Sequence, residues 1–548
     1  MSRHPRRRSR AAGTRARVLA GAGALAVAVA LLPALGRAAD GDGPLGLPAL
    51  GLTDASWLDT EHVRSELLGG ARDCTRAYRY SSRADARMLS GTLLGADLSP
   101  VAALSGVTTQ HTGAPGTSAV ATPSTAPAVG PDAHAAPLSV TALSGVASGQ
   151  AASVVVLPAA GQEAALLHQT AYAASDGEAR SAAGAVTDTG AVRTTSTTVG
   201  PDGSLPGPAV VDLAGLAPGV SSLAGLKLQV GALSSTAMLD GCLRDETGAA
   251  PVRDYRVAGL RLRLASPAVV AARQSAVTAT STATSAVRGL ESQLVSSIKA
   301  ISGLSGSLTT VTVHVDLAAA VDPLLNARLG EGSEVVVDLG RGVVEVDLER
   351  LLSGRGGLNG RAPGTELVLD QLLLDQVTAR VDTLLTQWAT SLQTAVDAAL
   401  RAARVVVDVR LLGLPLLALD ATVAQVVAGT AQVQLVGAIP LGSLVPANVA
   451  SLVTVIVRDG LQSGLFGPTG AVATLGTTVR ASLPPVTAAA STALSGLRSA
   501  ISLVVNDRRD AGGVHDVAAL RITALAGFVQ PTALRLATSS VGPVVELP

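Results

Sequence analysis

Apolar residues along the chain recur with two different periods. Over residues 309–317 they alternate, with Val311, Val313, Val315 and Leu317 on one side and Thr312, His314 and Asp316 on the other. That is the period of a half-buried strand. Residues 335–348 repeat it twice: Val335, Val337 and Leu339 precede Gly340-Arg341-Gly342, and Val344, Val346 and Leu348 follow it. Two alternating runs around a glycine-containing turn predict a β-hairpin. Leu226, Leu228 and Val230 alternate likewise, as do Leu260, Leu262 and Leu264. From Leu373 a spacing of three and four takes over, through Val377, Val381, Leu384, Leu385, Trp388, Leu392, Val396 and Leu400. It predicts a long amphipathic helix near 368–402. A second helix is predicted near 267–302, where many Thr and Ser lower the intrinsic propensity, and a third over 486–499. The class is therefore α+β, β-rich with antiparallel strands and hairpins and a few long amphipathic helices.

Residues 106–137 are rich in Thr, Ala, Pro and Gly and follow neither period, which reads as a flexible low-complexity loop or linker. Residues 192–208 are a milder example. The layout expected is a leader at 1–39, an N-terminal β-rich region at 40–265 and a C-terminal α+β region at 266–548. Residues 421–457 carry no charge, yet Gln425, Gln432, Gln434, Asn448, Pro440 and Pro446 would all be penalised in a bilayer core. Buried strands followed by a short helix fit this segment better than a membrane span.

The N-terminus changes the compartment. Seven arginines and no acid fall in the first 17 residues, followed by the uncharged run 18–32, Pro33 and a mostly small-residue stretch at 36–39. This is the order of a secretory signal peptide. Fifteen residues of helix rise only about 22 Å, short of a hydrocarbon core. The cluster Arg6–Arg8 lacks the hydrophobic residue that twin-arginine export needs, so general secretion is expected. The whole chain balances at 41 basic and 41 acidic residues, but eight of the arginines lie in 1–39. The remainder holds 33 against 41, near −8. That balance argues against a nucleic-acid partner, because phosphate neutralisation needs clustered cations. Cys74 and Cys242 are the two cysteines; in an oxidising compartment one disulfide is the simplest expectation, two unrelated buried thiols the alternative. Aromatic residues are only 1 % of the chain and lysines number two, Lys227 and Lys299, so Val, Leu and Ala must fill the core.

Several segments, in order, resemble the choice-of-anchor G family, large exported proteins of high-GC Gram-positive bacteria. They are 84–98 (ADARMLSGTLLGADL), 137–143 (PLSVTAL), 183–190 (AGAVTDTG), 211–213 (VDL), 228–237 (LQVGALSSTA), 253–260 (RDYRVAGL) and 264–269 (LASPAV). In the second half, 358–367 (LNGRAPGTEL) is similar to the family's L-N-G-x-P-P-x-T-x-L, with Ala362 where a first proline is usual. Residues 518–541 (AALRITALAGFVQPTALRLATSSV) resemble its closing segment. The resemblance spans roughly 50–545 and implies an exported body with an adhesin-like surface role. A wall-sorting signal would need an L-P-x-T-G-like motif, an apolar segment and a basic tail, whereas the sequence ends at Glu546-Leu547-Pro548. A released chain, a non-covalently held one or a sequence ending inside such a motif are the expectations.

No set of residues announces catalysis. Gly41-Asp42-Gly43-Pro44-Leu45-Gly46 fits G-x-G-x-x-G formally but lacks the strand before and helix after that a dinucleotide site requires, and Asp40 and Asp42 lack the glutamate of a calcium loop. G-x-S-x-G, H-E-x-x-H and C-x-x-C do not occur. The histidines beyond the leader, His62, His111, His134, His168, His314 and His515, have no metal spacing, so each is expected solvated or hydrogen-bonded. Asp338, Glu345, Asp347 and Glu349 are expected on the solvated face of the hairpin, without the aromatic platform of a sugar site. No catalytic residue, cofactor or metal is assigned. The expected function is a secreted or cell-surface structural, adhesin-like protein with an extracellular or envelope ligand. A cell-envelope or polysaccharide-acting hydrolase and a lipid- or ligand-sequestering module are the alternatives.

Overall fold

A computed structural model describes residues 79–98, 106–137, 155–156, 168–186, 209–217, 219–436, 448–525 and 532–548. The leader 1–39, the stretch 192–208, Cys74 and His62 lie outside the described residues. The main strands of the first half are β1 (Arg79–Leu93), β2 (Val107–His111), β3 (Ala133–Pro137), β4 (His168–Ala173), β5 (Glu178–Gly184), β6 (Leu226–Asp240) and β7 (Val252–Ala265). Those of the second are β8 (Leu308–His314), β9 (Val335–Asp338), β10 (Val343–Asp347), β11 (Arg404–Leu411), β12 (Leu414–Thr422), β13 (Ile501–Ala511), β14 (Val514–Ala524) and β15 (Ala533–Val541). The long helices are α1 (Pro267–Lys299), α2 (Gln371–Ala402), α3 (Val449–Leu461), α4 (Ala471–Ala481) and α5 (Pro484–Ala500). The fold is a mixed α+β structure built on three antiparallel sheets.

The first sheet runs β13-β14-β15-β1-β2, and the second runs β9-β10-β7-β6-β5-β4-β3. The third holds β8, β11 and β12 with the short strand Gln434–Leu435. Strand β15 pairs with β1, so the end of the chain and the start of the described body share one sheet. Strand β7 pairs with β10 across the expected region boundary at 265/266. That boundary therefore does not divide the fold; long-range pairing interleaves the two regions.

The two alternating runs near 226 and 260 are partners. Leu226 stands opposite Leu264, Leu228 opposite Leu262 and Val230 opposite Leu260, and β10 adds Val344 and Val346 beside them. Against this aliphatic face pack Val377 of α2 and Ala490, Ala493 and Leu494 of α5. Further along both strands the buried parity changes. In β6 it passes from Leu226, Leu228 and Val230 to Leu233, Ser235, Ala237 and Leu239; in β7, from Tyr255 and Val257 to Leu260, Leu262 and Leu264. Helices cover one face of the sheet at one end, and the first sheet covers the other face at the other end. The switch falls where Gly231 meets Gly259. Gly259 has φ +65°, and a Cβ on Gly231 would lie 3.2 Å from the Gly259 Cα. Side chains at these two positions would hold the strands apart where they exchange faces.

Residues 106–137, expected to be a loop, instead contain β2, Val120–Thr122, Ala128–Gly130 and β3. The strand period was hidden because polar side chains occupy its buried positions: Val107, Thr109 and His111 face inward. The long helices match the spacing closely, and all eight positions from Val377 to Leu400 are buried in α2. Trp388 is 2 % exposed, its indole N–H donating to the Leu324 carbonyl at 2.9 Å. The hydroxyl-rich α1 is held by its buried stripe, which includes Val269, Val287, Leu290, Leu294 and Ile298, while Thr280, Thr284, Ser285 and Ser296 satisfy their hydroxyls on carbonyls four residues earlier. The strand expected over 309–317 stops at His314, since Asp316 accepts from Ala319 N–H and caps a helix. In the uncharged segment, β12 ends at Thr422, short elements follow, and α3 begins at Val449. The span 449–500 is long and apolar enough in total to cross a membrane. It is broken into α3, α4 and α5, which contact α1 and α2.

Candidate functional site

The inner faces of the first two sheets are lined by unusually small side chains, among them Ala84, Ala86, Ala171, Ala183 and Ala237. Short polar residues therefore reach from one sheet to the other. Ser82 Oγ donates to the Ala174 carbonyl at 2.7 Å, Thr109 Oγ1 to the Ala171 carbonyl at 3.0 Å, and Ser539 Oγ to the Ser235 carbonyl at 2.9 Å. Met88 N–H donates to Gln169 Oε1 at 2.8 Å. Each bond satisfies a group that would otherwise be buried unpaired.

At one end of this seam the short residues give way to charge. Asp507 on β13, with a side chain 5 % exposed, accepts from Arg535 Nε at 2.8 Å and Arg521 Nη1 at 2.6 Å. Arg535, 7 % exposed, also grips Asp516 with both terminal nitrogens, at 2.9 and 2.7 Å. Burial works against the Arg535 charge, yet Asp516 and Asp507 outweigh it and hold its pKa above the usual range. Arg253 on β7 crosses to Asp510 at 2.8 Å, and His515 Nδ1 lies 2.6 Å from the same carboxylate. The His515 contact, then the Arg253 hydrogen bond, hold the Asp510 pKa below its ordinary value despite burial. Asp510 and His515 are cross-strand partners of the hairpin turning at Gly512-Gly513. That glycine pair was the sequence signal for their contact.

The segment 358–361 is pinned into the same seam. Asn359 pairs with both backbone groups of Val257, accepting at 2.8 Å and donating at 3.0 Å. Tyr255 hydroxyl donates to the Leu358 carbonyl and accepts from Arg361 N–H, both at 2.9 Å. Asn506, at φ +54°, donates to the Arg361 carbonyl at 2.7 Å. Asn359→Ala strips Val257 of both partners and is expected to cost about 1–3 kcal/mol in urea unfolding. A loss below about 0.5 kcal/mol would show that this clamp is dispensable.

The acids of the predicted hairpin are not solvated as expected. Asp338 is 3 % exposed and accepts from Arg341 N–H at 2.9 Å, with Arg328 at 3.5 Å. Glu345 lies 3.2 Å from Arg328 and 3.6 Å from Arg263, and Asp347 lies 3.4 Å from Arg261. Glu349 accepts from Gly259 N–H at 2.8 Å. Arg261 and Arg263 of β7 stand directly across from Asp347 and Glu345, which draws those two carboxylates down onto the sheet. Among the histidines, His111 is buried; its Nδ1 accepts from Gly113 N–H at 2.8 Å and its Nε2 donates to the Thr117 carbonyl at 2.9 Å. His134 lies 3.4 Å from Thr109, and His314 is exposed on the polar side of β8.

Sequence reading also passed over Glu178 on β5. Burial raises its pKa, with the contacting Arg180 opposing. Its nearest acidic neighbours have other duties: Asp176 accepts from Glu178 N–H and Asp240 caps the helix Gly241–Thr247. Among the described residues no group of three or more His, Cys, Asp and Glu is placed to hold a metal. The crevice between α2, α5 and the second sheet is lined by aliphatic side chains throughout and holds only about 10 Å³ of free space.

A family profile described as a domain of unknown function, DUF8394, matches residues 84–542. The chain belongs to this family. The match begins within β1 and ends just after β15, the two strands that pair to close the first sheet. It thus takes in both sheets of the seam and the helices on them. No curated protein and no solved structure matches the chain.

Proposed function

We propose that this DUF8394 protein is a secreted or cell-surface structural protein, adhesin-like and non-enzymatic, of the choice-of-anchor G kind. The observation that supports this most is the use of polar residues in the seam. Asp507, Asp516, Asp510, Asn359 and Asn506 are each engaged by an arginine or a backbone group of another segment, so they hold strands together. The leader-like residues 1–39 and the charge near −8 beyond them favour export and disfavour nucleic acid as the partner.

The proposed disulfide fits the same reading. Cys242 is 2 % exposed, next to Gly241, where an added Cβ would lie 3.2 Å from the Tyr80 ring. Cys74 precedes Tyr80 by six residues, a reach of up to about 20 Å of extended chain. Joining Cys74 to Cys242 would tether the entry of β1 to the second sheet.

Glu178 supports the second reading, a cell-envelope hydrolase, because a raised carboxyl is what a general acid needs. One experiment separates the two. A strain lacking the chain is scored for surface attachment and complemented with wild type or Glu178→Gln. Equal rescue by both supports the structural role. Failure of a folded, exported E178Q, together with loss of hydrolytic activity on wall polysaccharide, would favour the hydrolase reading instead.

A further inference from the structure

The turn that leaves β2 is fastened by a histidine. His111, the last residue of that strand, is 1 % exposed. Its Nδ1 accepts from Gly113 N–H at 2.8 Å and its Nε2 donates to the Thr117 carbonyl at 2.9 Å. A backbone N–H cannot accept and a carbonyl cannot donate, so the two bonds together admit only the neutral ring with its proton on Nε2. The turn is tied once more where Asp132 accepts from Ala119 N–H at 2.6 Å.

Gly113 carries this turn onto the last strand of the chain. It has φ +77°, and a Cβ there would collide with Leu547 Cδ1 and lie 2.7 Å from the Tyr80 carbonyl oxygen. Leu547 belongs to the short strand Val545–Leu547, which pairs with Arg79–Ser81 at the start of β1. Histidine, turn and terminal strand are therefore stacked in contact, His111 on Gly113 and Gly113 on Leu547.

We infer that His111 is an acid-sensitive latch on this stack. A proton arriving at Nδ1 sets one N–H against the N–H of Gly113, so a hydrogen bond is lost and a charge is left in a site closed to water. The turn opens to let the charged ring reach solvent, and Gly113 withdraws from Leu547 as it does. The sign follows from the bonds. The closed turn holds only the neutral ring, so its stability is complete at neutral pH and falls as acid protonates the open form. Among the elements packed on β2, β1 carries Arg79, Tyr80, Arg83, Asp85 and Arg87. Strand β3 carries His134, β4 carries His168 and Tyr172, and the terminal strand carries Glu546. The arginines keep their charge throughout, and burial pushes both tyrosines up to about 12. That leaves His134 and His168 as the groups sharing the imidazole range, and they serve as controls. The latch rests on neither export nor adhesion.

The test is hydrogen exchange of the purified full chain at about pH 7.5 and about pH 5.5, above the ordinary carboxylate range, with rates corrected for the intrinsic effect of pH. An ordinary imidazole titrates near about 6.5, so one unit below it the opening of residues 112–119 and 545–547 should rise about tenfold. His111→Gln offers an amide oxygen to Gly113 and an amide N–H to Thr117 without titrating, and should abolish the rise. His134→Gln and His168→Gln should keep it. Equal protection of wild type at both pH values, or a rise that persists in H111Q, would overturn the inference. Should H111Q not fold, ring NMR of wild type decides. The latch requires the His111 proton to arrive at the pH where the turn opens, and a ring that takes its proton while the turn stays protected refutes it.

Discussion

Replacing Asp507 with alanine is expected to lower the unfolding free energy by about 3–5 kcal/mol, the range for breaking a buried ion pair from one side. The size follows from what remains. Arg535 keeps a side chain 7 % exposed, and Arg521 loses the carboxylate it reaches at 2.6 Å. Asp516 still binds Arg535, so one charge is compensated and the loss stays within that range. The pairing itself is a different quantity. A triple change, Asp507→Ala and Asp516→Ala with Arg535→Met, removes both acids together with the arginine they share and should recover much of the loss. Urea unfolding of D507A and of the combined variant, each against wild type, reads this directly. A loss below about 1 kcal/mol for D507A would mean that water reaches the network and that it does not hold the seam.

Trp388→Ala should cost a similar amount, about 3–5 kcal/mol, by a different route. Trp388 sits midway along α2, 2 % exposed, and is the largest fully buried side chain among the described residues. Truncation leaves a cavity between α2 and the segment carrying Leu324, and strands the Leu324 carbonyl. Trp388→Phe keeps much of the volume but loses the N–H, so about 1–2 kcal/mol is expected from the orphaned acceptor. The difference between the two variants in urea unfolding isolates the packing contribution. Equal losses would place the whole effect in the hydrogen bond.

How much of this was legible depended on whether the deciding contacts were local. The buried positions of α2 could be read directly because a helix repeats its face every three to four residues. The hairpin of β9 and β10 was legible for the same reason, its glycine turn lying between the two runs. The pairing of Leu226–Val230 with Leu260–Leu264 was not, although both runs were seen, because period fixes a face and not a partner. The face exchange at Gly231 and Gly259 was hidden too, since each glycine has meaning only opposite the other.

The charge network failed to show for a further reason. Residues 503–507 are buried consecutively, which breaks the alternation a strand is recognised by. The ladder between β13 and β14 passes over Asn506, and that between β14 and β15 over Ala537, both at left-handed φ. Asp507 shares the parity of Ile501, Leu503 and Val505, but a charged side chain at that position does not announce burial from the sequence alone. Its partners Arg521 and Arg535 then follow from the order of three strands. Residues 358–367 show the same limit: Asn359 can be quoted from a motif, but its double bond to Val257 exists only once β7 is in place.

The most direct measurement of the central proposal is fractionation of the native strain into medium, wall, membrane and cytoplasm, with the intact mass of the recovered chain and a count of its reactive thiols. The account predicts a chain outside the cytoplasm that has lost residues 1–39, with Cys74 and Cys242 unreactive until reduced. A cytoplasmic chain that retains its leader and carries two free thiols would contradict export, the disulfide and the surface role together.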